Sequence, residues 1–489
     1  MVLLLGTDAA HAGGLRALAF HEFPTGVYTA IVINEATAPM PLLPARLERA
    51  TDAAPVHTWW IRAVPETLAP GQRGLLRFSL MRAKSRQDAV IAHFAASDSL
   101  GLHRGELTIA PIHLVADSST GKLYTYLRNL GAQTAVVSRL TLEDVPLVRT
   151  GSEPLSLAAG QTGVWVSDAP PWDTQPSGLD VILSMEVNGL TTLATARVFD
   201  HATYRFRWED GTEDFVLCPT HQLGAWTGVG RKIFGTLSGA APAPGTVHFC
   251  RNRLPDGLAA FGACAPRAVA NLQASNLDRG KDNPWPGWHA IAAIVKAAVA
   301  PGIFTALIED ASQFSGAYGQ PASPADPPLR EGELRPLLYL SLAAGSKGLL
   351  IRPPLAPAEV HATPPVAGSS APGHSKFEAL LTELNGLLPR LAISEPAPGA
   401  VSANDAATQA QALLCGEQGL LIVAHRFGEP AQPSPLKLRV TVPPGCPPLR
   451  HWREIGGSAA GELVQVGHGV SLEHVMESEL MVIWLSPVA

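Results

Sequence analysis

The sequence predicts a multidomain protein of mixed class, α/β plus all-β. N-terminal β-sandwich modules lead into a central TIM-like β/α barrel, whole or incomplete, and a C-terminal β-sandwich follows. Three observations predict this. Short β-rich runs recur between turn signals over residues 1–200. Strand and helix patterns alternate from 210 to 395. Alternation of the half-buried kind returns after 396. At 489 residues the chain exceeds one ordinary core, so several domains are expected. The pattern changes divide it into 1–100 (N-terminal sandwich), 101–205 (a second, Ig-like sandwich), 206–395 (barrel region) and 396–489 (C-terminal sandwich).

In the first module the runs Val27–Ile33 and Leu75–Leu80 read as strands, and alternation places one of Trp59 and Trp60 in the core. The second module contributes Lys122–Leu127, Thr134–Leu140 and Gly163–Ser167. Its firmest element is a hairpin, Val181–Val187 and Leu190–Val198 about Asn188-Gly189. That dipeptide suits the two positive φ angles of a type I′ turn. The central strands are Asp214–Cys218, Thr246–Cys250, Arg267–Asn271, Ile303–Ile308 and Gly348–Ile351. They alternate little, as strands covered on both faces do. Helices are expected over His289–Ala300, Glu333–Ala344 and Ser375–Leu388. Pro336 is tolerable in a first turn, and Gly345 supplies a left-handed cap. Residues 210–395 fall short of the roughly 250 that a full barrel takes, so either the barrel is incomplete or some of its strands are too degenerate to recognise. Pro353–His374 reads as a long surface loop. The last module contributes Leu420–Ala424, Leu436–Val442, Leu463–Val466 and Leu480–Leu485.

Composition excludes several functions. Hydrophobic residues make up 46%, which argues for packed interiors. Charged residues are 16%, the net charge is -6 and no basic cluster occurs, so no nucleic-acid partner is expected. No apolar run approaches the ~20 residues of a membrane helix. Met1-Val-Leu-Leu-Leu-Gly6 lacks a basic leader and is a poor signal peptide. The five cysteines, Cys218, Cys250, Cys264, Cys415 and Cys446, show no C-x-x-C spacing and read as buried free thiols. Cys218, His221, His248 and Cys250 have the right donors for a tetrahedral metal. They sit at different depths along their strands, so core packing is expected, with no metal and no cofactor. Oligomeric state is not legible.

The chemistry-bearing stretch is the apolar run Ile303–Ile308 ending in Glu309. Glu333-Leu-Arg335 then opens a helix, and Ala343-Ala-Gly-Ser-Lys-Gly-Leu-Leu-Ile351 leads to Arg352. In parallel β/α barrels the reacting groups gather at the carboxyl ends of the strands. This stretch resembles the bacterial glycoside hydrolases of the large (β/α)8 clan with two catalytic carboxylates. The resemblance implies that Glu309 is a nucleophile or transition-state stabiliser, with Asp278 and Asp310 the nearby acids. The clan's acid/base should follow Asp214–Cys218. There the chain has Pro219-Thr220-His221, a departure from the pattern.

Retention needs carboxyl groups roughly 5–5.5 Å apart and inversion roughly 6.5–9.5 Å. Around such a site His221, Arg251, Asn271, Gln273, Asn276 and Arg352 would line the rim, and Trp285 and Trp288 could stack on a sugar ring. The bland alternatives are a satisfied polar histidine, arginines paired with Glu309, Asp310 or Asp278, and tryptophans packed under a loop. The resemblance implies a carbohydrate partner, an O-glycosyl hydrolase where catalysis survives, and an extracellular or periplasmic location. The rival reading is a non-catalytic carbohydrate-binding or adhesion protein with a relic barrel.

Overall fold

The protein is described by a computed structural model covering residues 14–24, 26–80, 88–94, 98–151, 153–172, 176–201, 205–208, 247–250, 267–273, 296, 303–309, 334–351, 374–426 and 433–488. The first module is built on an antiparallel sheet in the order Leu15–Glu22, Val27–Asn34, Arg73–Leu80, Thr58–Val64. A smaller sheet of Arg46–Arg49, Ala89–His93 and Ser99–His103 accompanies it. Phe20, Tyr28 and Phe78 stack between them, with ring centroids 5.4–6.0 Å apart. Such pairs add to the area burial that holds the module together.

The second module contains the expected hairpin, Ser177–Val187 paired with Leu190–Asp200. Asn188 (φ 51°) and Gly189 (φ 79°) adopt the left-handed conformations that the turn requires. Asp180 on this hairpin joins the two modules. Its carboxylate lies 3.2 Å from Arg77, 2.7 Å from Arg197 and 3.8 Å from Arg62. Burial pushes this carboxyl up, but the three guanidiniums outweigh that and hold it below its ordinary value. Ile31, Leu75 and Ile182 pack beside the cluster.

The central region differs from the expected barrel. Five parallel strands form one sheet in the order Arg205–Trp208, Gly348–Ile351, Ile303–Glu309, Arg267–Gln273, Val247–Cys250. Among the described residues the two outer strands have no neighbour on their far side, and the sheet describes a half-barrel. Closure takes about eight tilted strands with a fixed stagger, and five parallel strands leave the two edges apart. The described residues are therefore mainly β, with helices α1 (Leu334–Ala343) and α2 (His374–Ala392) and a further helical position at Lys296. The sheet's first strand is Arg205–Trp208, which pairs with Gly348–Ile351. Its charged–aromatic alternation hid it beside the preceding hairpin. The expected strand Asp214–Cys218 and the loop before His374 lie outside the described residues.

α1 begins two residues before Pro336, which falls in the first turn, and ends at Gly345 (φ 102°), whose amide donates to Leu342 O at 2.8 Å. Its Arg335 bridges to Glu383 of α2 (3.1 Å) and donates to Ile455 O (2.9 Å), tying both helices to the last module. That module has two antiparallel sheets, one centred on Leu420–Arg426 and Leu480–Ser486, the other on Ser434–Thr441 and Gly469–Met476. Its core is continuous with that of the second module, from Leu114 and Tyr126 through Leu414, Ile422 and Ile483. The edge strand Thr162–Asp168 is covered where Val164 N donates to Pro444 O (3.0 Å), which removes an exposed pairing edge.

Candidate functional site

The five parallel strands put their carboxyl ends on one edge. Gln273 and Glu309 are register partners there, and Ile308 pairs with Ile351 one position earlier. Asn271 pairs with Leu307, two residues back from that edge. Trp208 faces Ile351 across the other side, and Cys250 ends its strand opposite Ala270, three residues short of Gln273. Glu309 thus closes a central strand, with two strands on its amide-bearing side and two on the other. In open parallel sheets, ligands bind outside this carboxyl edge, where loops and strand ends meet.

Of the residues singled out by sequence, Glu309, Gln273 and Asn271 fall together on two adjacent strands. Asp278, Asp310, His221, Arg251, Asn276, Trp285, Trp288 and Arg352 lie outside the described residues. Among the described strand ends Trp208, Cys250, Gln273, Glu309 and Ile351, the one acid is Glu309. Among the described residues no three His, Cys, Asp or Glu side chains converge as metal ligands would.

A second polar constellation went unrecognised in the sequence. It sits at the opposite, amino edge of the sheet. Lys347 immediately precedes Gly348–Ile351, and Lys296 lies in a helical position ahead of Ile303–Glu309. Glu395, just beyond α2, is buried among them. Lys296 Nζ lies 2.9 Å and 3.0 Å from its two oxygens, and His113 Nδ1 is 3.2 Å from Oε2. Lys347 Nζ donates to Ser394 Oγ (3.0 Å), Leu391 O (3.2 Å) and Ser394 O. Tyr126 stacks on His113 at 5.8 Å. Its hydroxyl accepts from Gly416 N (2.8 Å) and donates to Ile393 O, with Leu414 O 3.1 Å away.

Burial governs the protonation of this group. It pushes Lys347 down to about 7 and His113 down to about 4. Burial also pushes Glu395 up, but Lys296, the His113 hydrogen bond and Lys347 outweigh it and bring the carboxyl down to about 2. Near neutrality His113 is then a neutral donor, and the Lys296 ammonium balances the carboxylate. All of these side chains are buried. Their chemistry is that of a satisfied internal network joining the second module, the parallel sheet and the last module.

No protein-family model matches the chain, and no curated protein sequence matches it. The solved structures to which it is similar include glycoside hydrolases. A noncanonic maltogenic α-amylase from Thermotoga neapolitana is 9% identical with TM-score 0.32, over 48% of this chain and 54% of the amylase. The chain thus spans about half that enzyme's length. A GH2 β-galacturonidase from Eisenbergiella tayi is 10% identical with TM-score 0.23, over 69% and 89% of the two chains. A family 39 glycoside hydrolase from Bacteroides cellulosilyticus is 12% identical with TM-score 0.21, over 77% and 100%.

Proposed function

We propose that the chain is a glycoside hydrolase-like protein that binds a saccharide at the carboxyl edge of its parallel sheet, next to Glu309. One observation carries the reading: Glu309 closes a central strand in register with Gln273, at the edge where open parallel sheets take ligands. A carboxylate and an amide on neighbouring strands form a complementary acceptor and donor set for sugar hydroxyls. Asn271, two residues back from Gln273, extends the set along the same strand. His221, Arg251, Asn276, Trp285, Trp288 and Arg352 complete the proposed rim. Hydrolysis would need a second carboxyl group across the cleft, with Asp278 and Asp310 the candidates.

The test compares wild type with Glu309→Gln on a glycan array and on a panel of aryl glycosides. The proposal expects array binding that the substitution abolishes. It assigns catalysis only if wild-type turnover of an aryl glycoside falls by about a hundredfold or more in the variant. Array binding that is absent in wild type, or the same in both proteins, sinks the site. Background turnover in both leaves a sugar-binding protein without hydrolase activity.

A further inference from the structure

The last module carries an open cleft of about 630 Å³ lined by Arg450, His451, Glu462, Gln465, Pro448 and Val464, among others. This is the size range of small-ligand sites. Its walls are fixed. Arg450 N donates to Ser486 O (2.9 Å), and Leu463 N donates to Arg450 O (2.6 Å). Gln465 is pinned across the cleft, accepting from Leu449 N at 2.8 Å and donating to Gly467 O at 2.8 Å. Beneath it Trp452 packs against His474, ring centroids 5.1 Å apart. A site whose supporting backbone is tied down on both sides loses little freedom when a ligand arrives.

Some exposed charges elsewhere on the described modules pair, among them Arg16 with Glu35, Lys122 with Asp168 and Lys437 with Glu473. Among the described residues the side chains of Arg450, His451 and Glu462 have no ion-pair or hydrogen-bond partner. His451 and Glu462 are register partners on adjacent strands, so an imidazole and a carboxylate stand side by side. Val464, 79% exposed, adds an apolar face at the rim.

We infer that this cleft binds an acidic saccharide, a sugar chain bearing a uronic-acid carboxylate. The guanidinium of Arg450 offers the planar fork that a carboxylate accepts from two N–H groups. Glu462 accepts from ring hydroxyls, and His451 serves as either donor or acceptor toward them. Val464 and Pro448 meet the apolar C–H side of the ring. A neutral sugar leaves the guanidinium unsatisfied, and a small free carboxylate leaves Glu462 and the apolar rim unused. The site lies on a different module from Glu309 and does not depend on the reading given for that residue.

The test is calorimetric titration of the full chain with a trimer of galacturonic acid, with maltotriose and acetate as controls. Wild type should bind the acidic trimer and neither control. Arg450→Ala should weaken the trimer by about tenfold or more, as loss of a charge-assisted pair does. Glu462→Gln should weaken it severalfold, and Arg16→Ala, in the first module, should leave it unchanged. Arg450 is exposed, so its variant should keep the wild-type melting temperature. Equal trimer affinity in wild type and Arg450→Ala, no trimer binding at all, or equal binding of maltotriose or acetate would overturn the assignment. Loss of trimer binding in Glu309→Gln alone would move the ligand to the sheet edge and overturn it too.

Discussion

At its amino edge the parallel sheet is held by Lys347, Lys296 and Glu395, all buried, with His113 and Tyr126 of the second module closing the network. At its carboxyl edge the same sheet ends in Gln273 and Glu309, in register on neighbouring strands. One edge encloses opposite charges where water is excluded. The other ends in polar residues at strand termini. In β/α architectures the amino ends of strands serve stability and the carboxyl ends serve chemistry. The difference teaches that buried ionisable groups and perturbed protonation do not by themselves mark a functional site. Here Lys347, His113 and Glu395 are all perturbed within an internal, hydrogen-bonded network.

The comparison breaks first at Glu395. Replacing it with Ala leaves Lys296 and Lys347 buried without their counter-charge, which should cost about 3–5 kcal/mol. Urea unfolding followed by tryptophan fluorescence measures it, and a loss below about 1 kcal/mol would place the network outside the stabilising interior.

Next in size is the alkaline limb of stability. Lys347 titrates at about 7 in the fold against its ordinary 10.5, so the unfolded chain binds the extra proton above pH 7. Stability should therefore rise between pH 7 and 9, by at most about 1.4 kcal/mol per pH unit. Above pH 9 Cys415, pushed up to about 12 by burial, works in the opposite sense. Lys347→Met should flatten the rise. On the acid side His21, His113 and His425 are each lowered by burial to about 4. Their contribution is complete above about 6.5 and lost as pH falls through 4. Unfolding curves across pH 4–9 test both limbs.

A smaller effect isolates a local rule from either edge. Gly189 holds φ at 79° in open space, so Gly189→Ala should cost about 1–2 kcal/mol through backbone strain alone. Thermal melts of the variant measure it, and neither edge should respond.

Much of this architecture is legible in the sequence where the signal is local. The Asn188-Gly189 turn, the parallel strands Arg267–Gln273 and Ile303–Glu309 and the cap at Gly345 follow from residue chemistry within a few positions. Arg205–Trp208 was not legible as a member of the parallel sheet, because its alternation of arginine and aromatic residues reads as a half-buried strand. Barrel closure depends on strand number, tilt and stagger, none of which a residue pattern encodes. The Lys296–Glu395 pair is 99 residues apart and has no sequence signature. Lys347 lies within Gly345-Ser-Lys-Gly348, where nothing local marks its side chain as a member of a buried network. Glu309 was legible as a strand end because an apolar run stopping at a carboxylate is a local event.

The most direct measurement sets Glu309→Gln beside Glu395→Gln, each assayed for array binding and for urea stability. Glu309→Gln should lose saccharide binding at wild-type stability, and Glu395→Gln should lose stability while its folded fraction still binds. If Glu309→Gln binds as wild type does, or if it unfolds as readily as Glu395→Gln, the carboxyl edge is not the binding edge and the division of labour proposed for the sheet is wrong.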